Sequence, residues 1–97
     1  MNEFIARRSL EEDALLEYVE KAKVLDGLYH RTGELEETIE AMDKDIDEVD
    51  ETGLDEIVEA MCKARNALNF ERLELEIQIH KLEIWLAEFE RERLLTR

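Results

Sequence analysis

No proline occurs among the 97 residues, there are three glycines and a single cysteine, and bases are scarce: 13 Lys and Arg stand against 27 Asp and Glu. A sheet needs turn residues every few positions, so the missing proline and sparse glycine argue against strand-rich folds. Long helices fit better, and the 41% charged composition points the same way. Cys62 alone cannot form a disulfide framework. The longest unbroken apolar run is Ile84 to Ala87, far short of the roughly 20 residues that span a bilayer. The chain also shows no basic start followed by an apolar run and a small-residue cleavage site, so a cytoplasmic protein is expected. The net charge of −14 opposes direct contact with nucleic acid or anionic lipid, both polyanions. Any charged partner should be basic, and membrane association is not expected.

What the chain does have is periodicity. Residues 73–86 read LELEIQIHKLEIWL, and the first eight letters alternate like a strand. On a helix at about 100° per residue the same letters separate into two opposite stripes. One holds Leu68, Leu75, Ile79, Leu82, Leu86 and Phe89, and the other holds Phe70, Leu73, Ile77 and Ile84. The seven-residue series Leu54, Met61, Leu68, Leu75, Leu82, Phe89 runs through the segment unbroken, which a strand would interrupt, so the segment is predicted to be helical. Arg65, Arg72 and Arg93 share the register of the first stripe and must snorkel or pair.

Ser9 with Glu12 makes a capping-box pattern, and Leu15, Tyr18, Ala22, Leu25 and Tyr29 follow at helical steps. His30, Arg31 and Gly33 suit a helix end, and Leu35, Ile39, Met42, Ile46 and Val49 then form another seam before Thr52 and Gly53. These signals predict one all-α domain with a tail at 1–8 and helices near 9–31, 34–51 and 54–96, although Asn2 could start the first helix earlier through Phe4 and Ile5. Two architectures fit: a three-helix bundle, or a long antiparallel hairpin in which Gly33 is only a kink or a locally irregular turn. Residues 9–51 and 54–96 are equally long, each about 64 Å as helix, which favours the hairpin. The stripe from Phe70 to Ile84 then lacks a partner within the chain. A homodimer pairing through Phe70, Leu73, Ile77, Ile84 and Trp85 into a four-helix bundle is the expectation, with Trp85, between the two stripes, also suited to closing a core edge.

Residues 34–59 hold 13 of the 27 acids and one base, Lys44. Glu36, Glu40, Asp43, Asp47 and Asp50 form one helical row, and with Glu51 and Asp55 they surround the expected turn. Over residues 34–51 the acids occur roughly every 2.7 Å of axis, between the charge spacings of about 1.7 Å for duplex DNA and 3.4 Å for one strand. The pattern is analogous to that of small acidic inhibitors that imitate a nucleic-acid backbone. The leading expectation is a non-enzymatic protein that presents this carboxylate-rich tip to a basic surface of another protein, in the sharpest version one that binds nucleic acid. The alternative is a coiled-coil adaptor or scaffold acting through the apolar stripe.

Other chemistry is weaker. Asp43, Asp45 and Asp47 imitate the first ligands of an EF-hand loop, but Glu48 replaces its glycine and Leu54 its final glutamate. EETIE at 36–40, with Glu56 and Glu59, resembles the glutamate pairs of all-α nucleotide pyrophosphohydrolases of the MazG type, although Glu59 stands where that family has aspartate. The resemblance implies carboxylates on facing helices holding Mg²⁺ against phosphates. Cys62 reads as a packed thiol, and His30 and His80 lack the spacing of metal ligands. No cofactor, metal site or catalytic residue is expected from the leading reading.

Overall fold

A computed structural model describes the backbone of residues 2–94 and the side chains of residues 11–93. Helix α1 spans Asn2–Asp50 and helix α2 spans Asp55–Phe89, continued by a π-helical turn at Glu90–Leu94. The two long helices pack against each other as a hairpin, and among the described residues there is no strand. Residues 73–86 lie wholly within α2, as the heptad series predicts.

The helices expected at 9–31 and 34–51 are one. Gly33 lies inside α1, and the only positive backbone φ in the described chain belongs to Gly53. The seam explains the continuity. It runs Leu25, Leu28, Thr32, Leu35, Ile39, Met42, Ile46, Val49, with no gap at Gly33. Thr32 is only 8% exposed because its hydroxyl donates to the Leu28 carbonyl at 2.8 Å, which satisfies the polar group within the helix. Tyr29, placed in the seam by sequence reading, is half exposed instead. Of the two possible starts, Ser9 and Asn2, the earlier is the one observed. The backbone is helical from Asn2, since nothing in residues 2–9 breaks a helix.

Gly53 makes the turn. At φ 76° it occupies the left-handed region, and the Thr52 and Gly53 amides donate to the Val49 and Asp50 carbonyls at 3.0 and 3.1 Å, closing α1. Leu54 gives α2 no side-chain cap, but Asp55 and Glu56 put negative charge at its positive dipole end. The three glycines therefore differ in role. An added Cβ meets nothing within 4 Å at Gly27 or Gly33. Gly27→Ala and Gly33→Ala should each stabilise the hairpin by about 0.5–1 kcal/mol in urea denaturation, whereas Gly53→Ala should cost about 1–2 kcal/mol through its left-handed backbone.

The molecule measures 77 × 20 × 14 Å, one helix deep and two wide. Only one seam can be buried in such a rod. Leu35 and Ile46 from α1 and Ile79, Leu86 and Phe89 from α2 are the buried apolar residues among those described. The open end is held by an aromatic cluster. Tyr18 and Trp85 stack on Phe89 at 5.0 and 5.3 Å, Lys21 lies 4.8 Å from the Trp85 ring, and Arg93 lies 5.2 Å from the Phe89 ring. The Tyr18 hydroxyl donates to Glu90 Oε1 at 2.6 Å, fastening the two helices where they would otherwise fray. That bond, with partial burial, raises the Tyr18 pKa above its ordinary value.

Candidate functional site

Two surfaces stand out, one charged and one apolar. The turn folds the acidic stretch of α1 back beside the first half of α2, so that residues 34–72 together hold 14 acids and four bases, Lys44, Lys63, Arg65 and Arg72. Three of those bases are engaged. Arg65 donates to Asp43 at 3.0 Å across the hairpin, Lys63 lies 3.5 Å from Glu59, and Arg72 donates to Glu76 at 2.8 Å and to Asn69. These pairings answer how the seam accommodates its arginines: Arg65 and Arg72 are half-buried and pair.

Asp43 is thereby a link between the helices and only half exposed, unlike the rest of its row. Glu36, Glu40, Asp47 and Asp50 are exposed, as are Glu51 and Asp55 at the turn. Among the described residues no cation pairs with Glu36, Glu40, Asp47 or Asp50. Glu36, Glu40 and Asp43 border a shallow groove of about 250 Å³ with Ile39, Asn69 and Arg72, open to solvent along its length.

Crowded carboxylates repel, and screening them should stabilise the fold. The melting temperature followed by circular dichroism should rise between low and moderate salt, by about 4–8 °C for each kcal/mol of repulsion relieved. Glu40→Gln with Asp47→Asn should raise the low-salt value and flatten the salt response. An unchanged response in that variant would show that the acids do not strain the fold.

The second surface lies on the side of α2 turned away from α1. Phe70, Ile77 and Ile84 point roughly 140–180° from the buried Ile79 around the helix. Phe70 is 64% exposed and Ile77 57%, and Leu73 and Ile84 are exposed beside them. Trp85, between the two stripes, closes the edge of the core. It is half-buried, stacked on Phe89 and covered by Lys21. Leu15, Leu16 and Val19 of α1 are further exposed apolar side chains near the open end.

The glutamate pairs of the pyrophosphohydrolase resemblance are not brought together. With Asp43 beside Arg65 and Tyr18 beside Glu90, Glu36 and Glu40 lie level with Arg72 and Leu68, whereas Glu56 and Glu59 lie level with Thr52 and Val49. The two sets are offset by about 14–24 Å along the axis. Asp43, Asp45 and Asp47 sit on continuous helix, where alternate residues diverge by about 200° and cannot wrap one ion. Among the described residues no group of three or more His, Cys, Asp or Glu side chains is arranged to hold a metal ion. Cys62 is half-buried beside the seam, and His30 lies 3.2 Å from Glu34, its neighbour one turn on. No helix among the described residues is long and apolar enough to cross a membrane.

Sequence reading missed the cross-helix contacts, including Arg31 to Glu71 at 3.1 Å and the cluster around Phe89. The available signal was register: with the turn at Gly53, such partners are nearly equidistant from it. Comparison with known proteins finds no matching family model, no matching curated protein and no matching solved structure.

Proposed function

We propose that the protein is a non-enzymatic helical binding protein that pairs with a second copy through Phe70, Leu73, Ile77 and Ile84 and presents its carboxylate-rich tip to a basic surface of another protein. The supporting observation is the state of the acids in the tip. Glu36, Glu40, Asp47 and Asp50 stand exposed in one row while Arg65, Lys63 and Arg72 are engaged with other groups. Their charge is therefore left for an external partner. In its sharpest form, the row stands in for the phosphates of a nucleic acid and occupies the site of a nucleic-acid-binding protein.

Binding of this kind spreads over several ion pairs, so no single acid dominates. Glu40→Gln, Asp47→Asn and Asp50→Asn, added one after another, should lower partner affinity stepwise, and wild-type binding should fall steeply as salt rises. Added DNA or RNA should compete. Asp43 is left intact in this series because it holds Arg65. Capture of the partner by the triple variant at wild-type affinity would overturn the tip as the binding surface.

A second reading, an assembly scaffold in which the charge only maintains solubility, is favoured by the exposure of the outer stripe. It predicts the opposite pattern, with partner capture lost on substituting Phe70 or Ile77 and insensitive to the acids.

A further inference from the structure

Resting on the proposed pairing through the outer stripe, we infer that the second copy lies antiparallel, with its two-fold axis at Ile77 and one acidic tip at each end of the assembly. Charge distribution along the rod sets the direction. Residues 34–72 carry −10, leaving −4 of the total −14 for the other 58 residues. A parallel pair sets the two −10 halves side by side. An antiparallel pair sets each against the weakly charged half of its neighbour, and like-charge repulsion selects this arrangement.

The flanks of the stripe accommodate the same direction. Phe70 and Ile84 are each seven residues from Ile77, so an antiparallel two-fold axis there brings Phe70 level with Ile84 of the second copy and Ile77 level with itself. Glu74 and Lys81, also seven apart, share one flank of the stripe. They lie three residues before and four after the axis, so Glu74 meets Lys81 of the second copy, twice over by symmetry. In a parallel pair opposite flanks meet, and Lys81 would reach Glu76 of the second copy instead, five residues away in the repeat, so the partner of Lys81 distinguishes the two directions while the charge along the rod selects between them.

The functional consequence is bivalence. Each tip lies about 22–24 residues of helix from Ile77, so the two tips stand about 65–70 Å apart. The assembly joins two basic surfaces at that separation, or two sites on one extended partner, where a parallel pair would concentrate both tips on one surface. Simultaneous engagement adds avidity without any new contact type.

The orientation is read by pulsed electron paramagnetic resonance on the full chain carrying Cys62→Ser and Glu51→Cys, spin-labelled at position 51, with the mass of the same sample measured by light scattering. A dimer with labels about 65 Å apart is expected, against about 30 Å or less for parallel pairing. A short distance in a confirmed dimer overturns the orientation alone, and a monomeric mass overturns the pairing on which it rests. Lys81→Glu supplies an independent arm. It should weaken the dimer by about tenfold, two rim pairs being lost, and adding Glu74→Lys should restore it. Failure of that rescue would also overturn the antiparallel register.

Discussion

Ile77→Glu is expected to turn a dimer into a helical monomer, with the dissociation constant raised by at least about a hundredfold. Ile77 is 57% exposed in the single hairpin and points away from α1, so a glutamate there disturbs no contact of the hairpin itself. In the pair it lies on the two-fold axis, where two carboxylates would be brought together in an apolar seam. Burying polar groups without partners costs about 1–3 kcal/mol each and more for charged ones, which for two copies gives the stated factor. Light scattering after gel filtration reads the mass and circular dichroism reads the helix. A variant that keeps wild-type mass would show that the stripe is not the interface. A variant that loses its helix would show that pairing and folding are inseparable, and Phe70→Ser, a milder change at a residue 64% exposed, then separates the two readouts.

Leu35→Ala is expected to be the most damaging single substitution in the hairpin itself. At 2% exposure Leu35 is the most buried of the described apolar side chains, and it sits where α1 passes the middle of α2. Truncation of a buried leucine costs about 2–5 kcal/mol, the spread depending on how far neighbours can close the cavity. A rod one helix deep can collapse more easily than a thick core, which places the expected loss near 2–3 kcal/mol in urea denaturation. Leu16→Ala, at a side chain 62% exposed, should change stability by no more than about 0.5 kcal/mol. Equal effects at the two sites would mean that the seam does not run through Leu35.

Much of this fold is legible in the chain because a single period dominates it. The series from Leu54 to Phe89 identifies α2 despite its strand-like alternation, and the equal lengths on either side of Gly53 point to the hairpin. The outer stripe is legible for the same reason: Phe70, Ile77 and Ile84 repeat every seven residues on the face opposite the seam. The favoured hairpin is the one observed, but no helix end or irregular turn occurs at Gly33, which lies inside α1. His30, Arg31 and Gly33 read as a helix end, although a helix tolerates one glycine at modest cost, and the 2.8 Å bond from Thr32 to the Leu28 carbonyl shows how the polar residue among them is buried.

The candidate site is less legible than the fold. Acid counts reveal the tip, but not that Arg65 takes Asp43 out of the exposed row from 22 residues away. Trp85 reads as the edge of a core or as an interface anchor from its position between the stripes, and the stacking with Phe89 that draws it into the open end depends on the approach of α1. Tyr18 and Glu90, 72 residues apart, meet only because the hairpin register brings them level. Contacts of that kind are set by the relative sliding and rotation of two helices, which periodicity within either one does not specify.

The most direct test of the account is the mass of the wild-type chain in solution, measured by sedimentation equilibrium at micromolar concentration and moderate salt. The pairing of outer stripes predicts a particle of twice the 11.5 kDa chain mass, dissociating on dilution and shifted towards monomer by Ile77→Glu. A wild-type chain that remains at 11.5 kDa across the concentration range, with Ile77→Glu indistinguishable from it, would contradict the account.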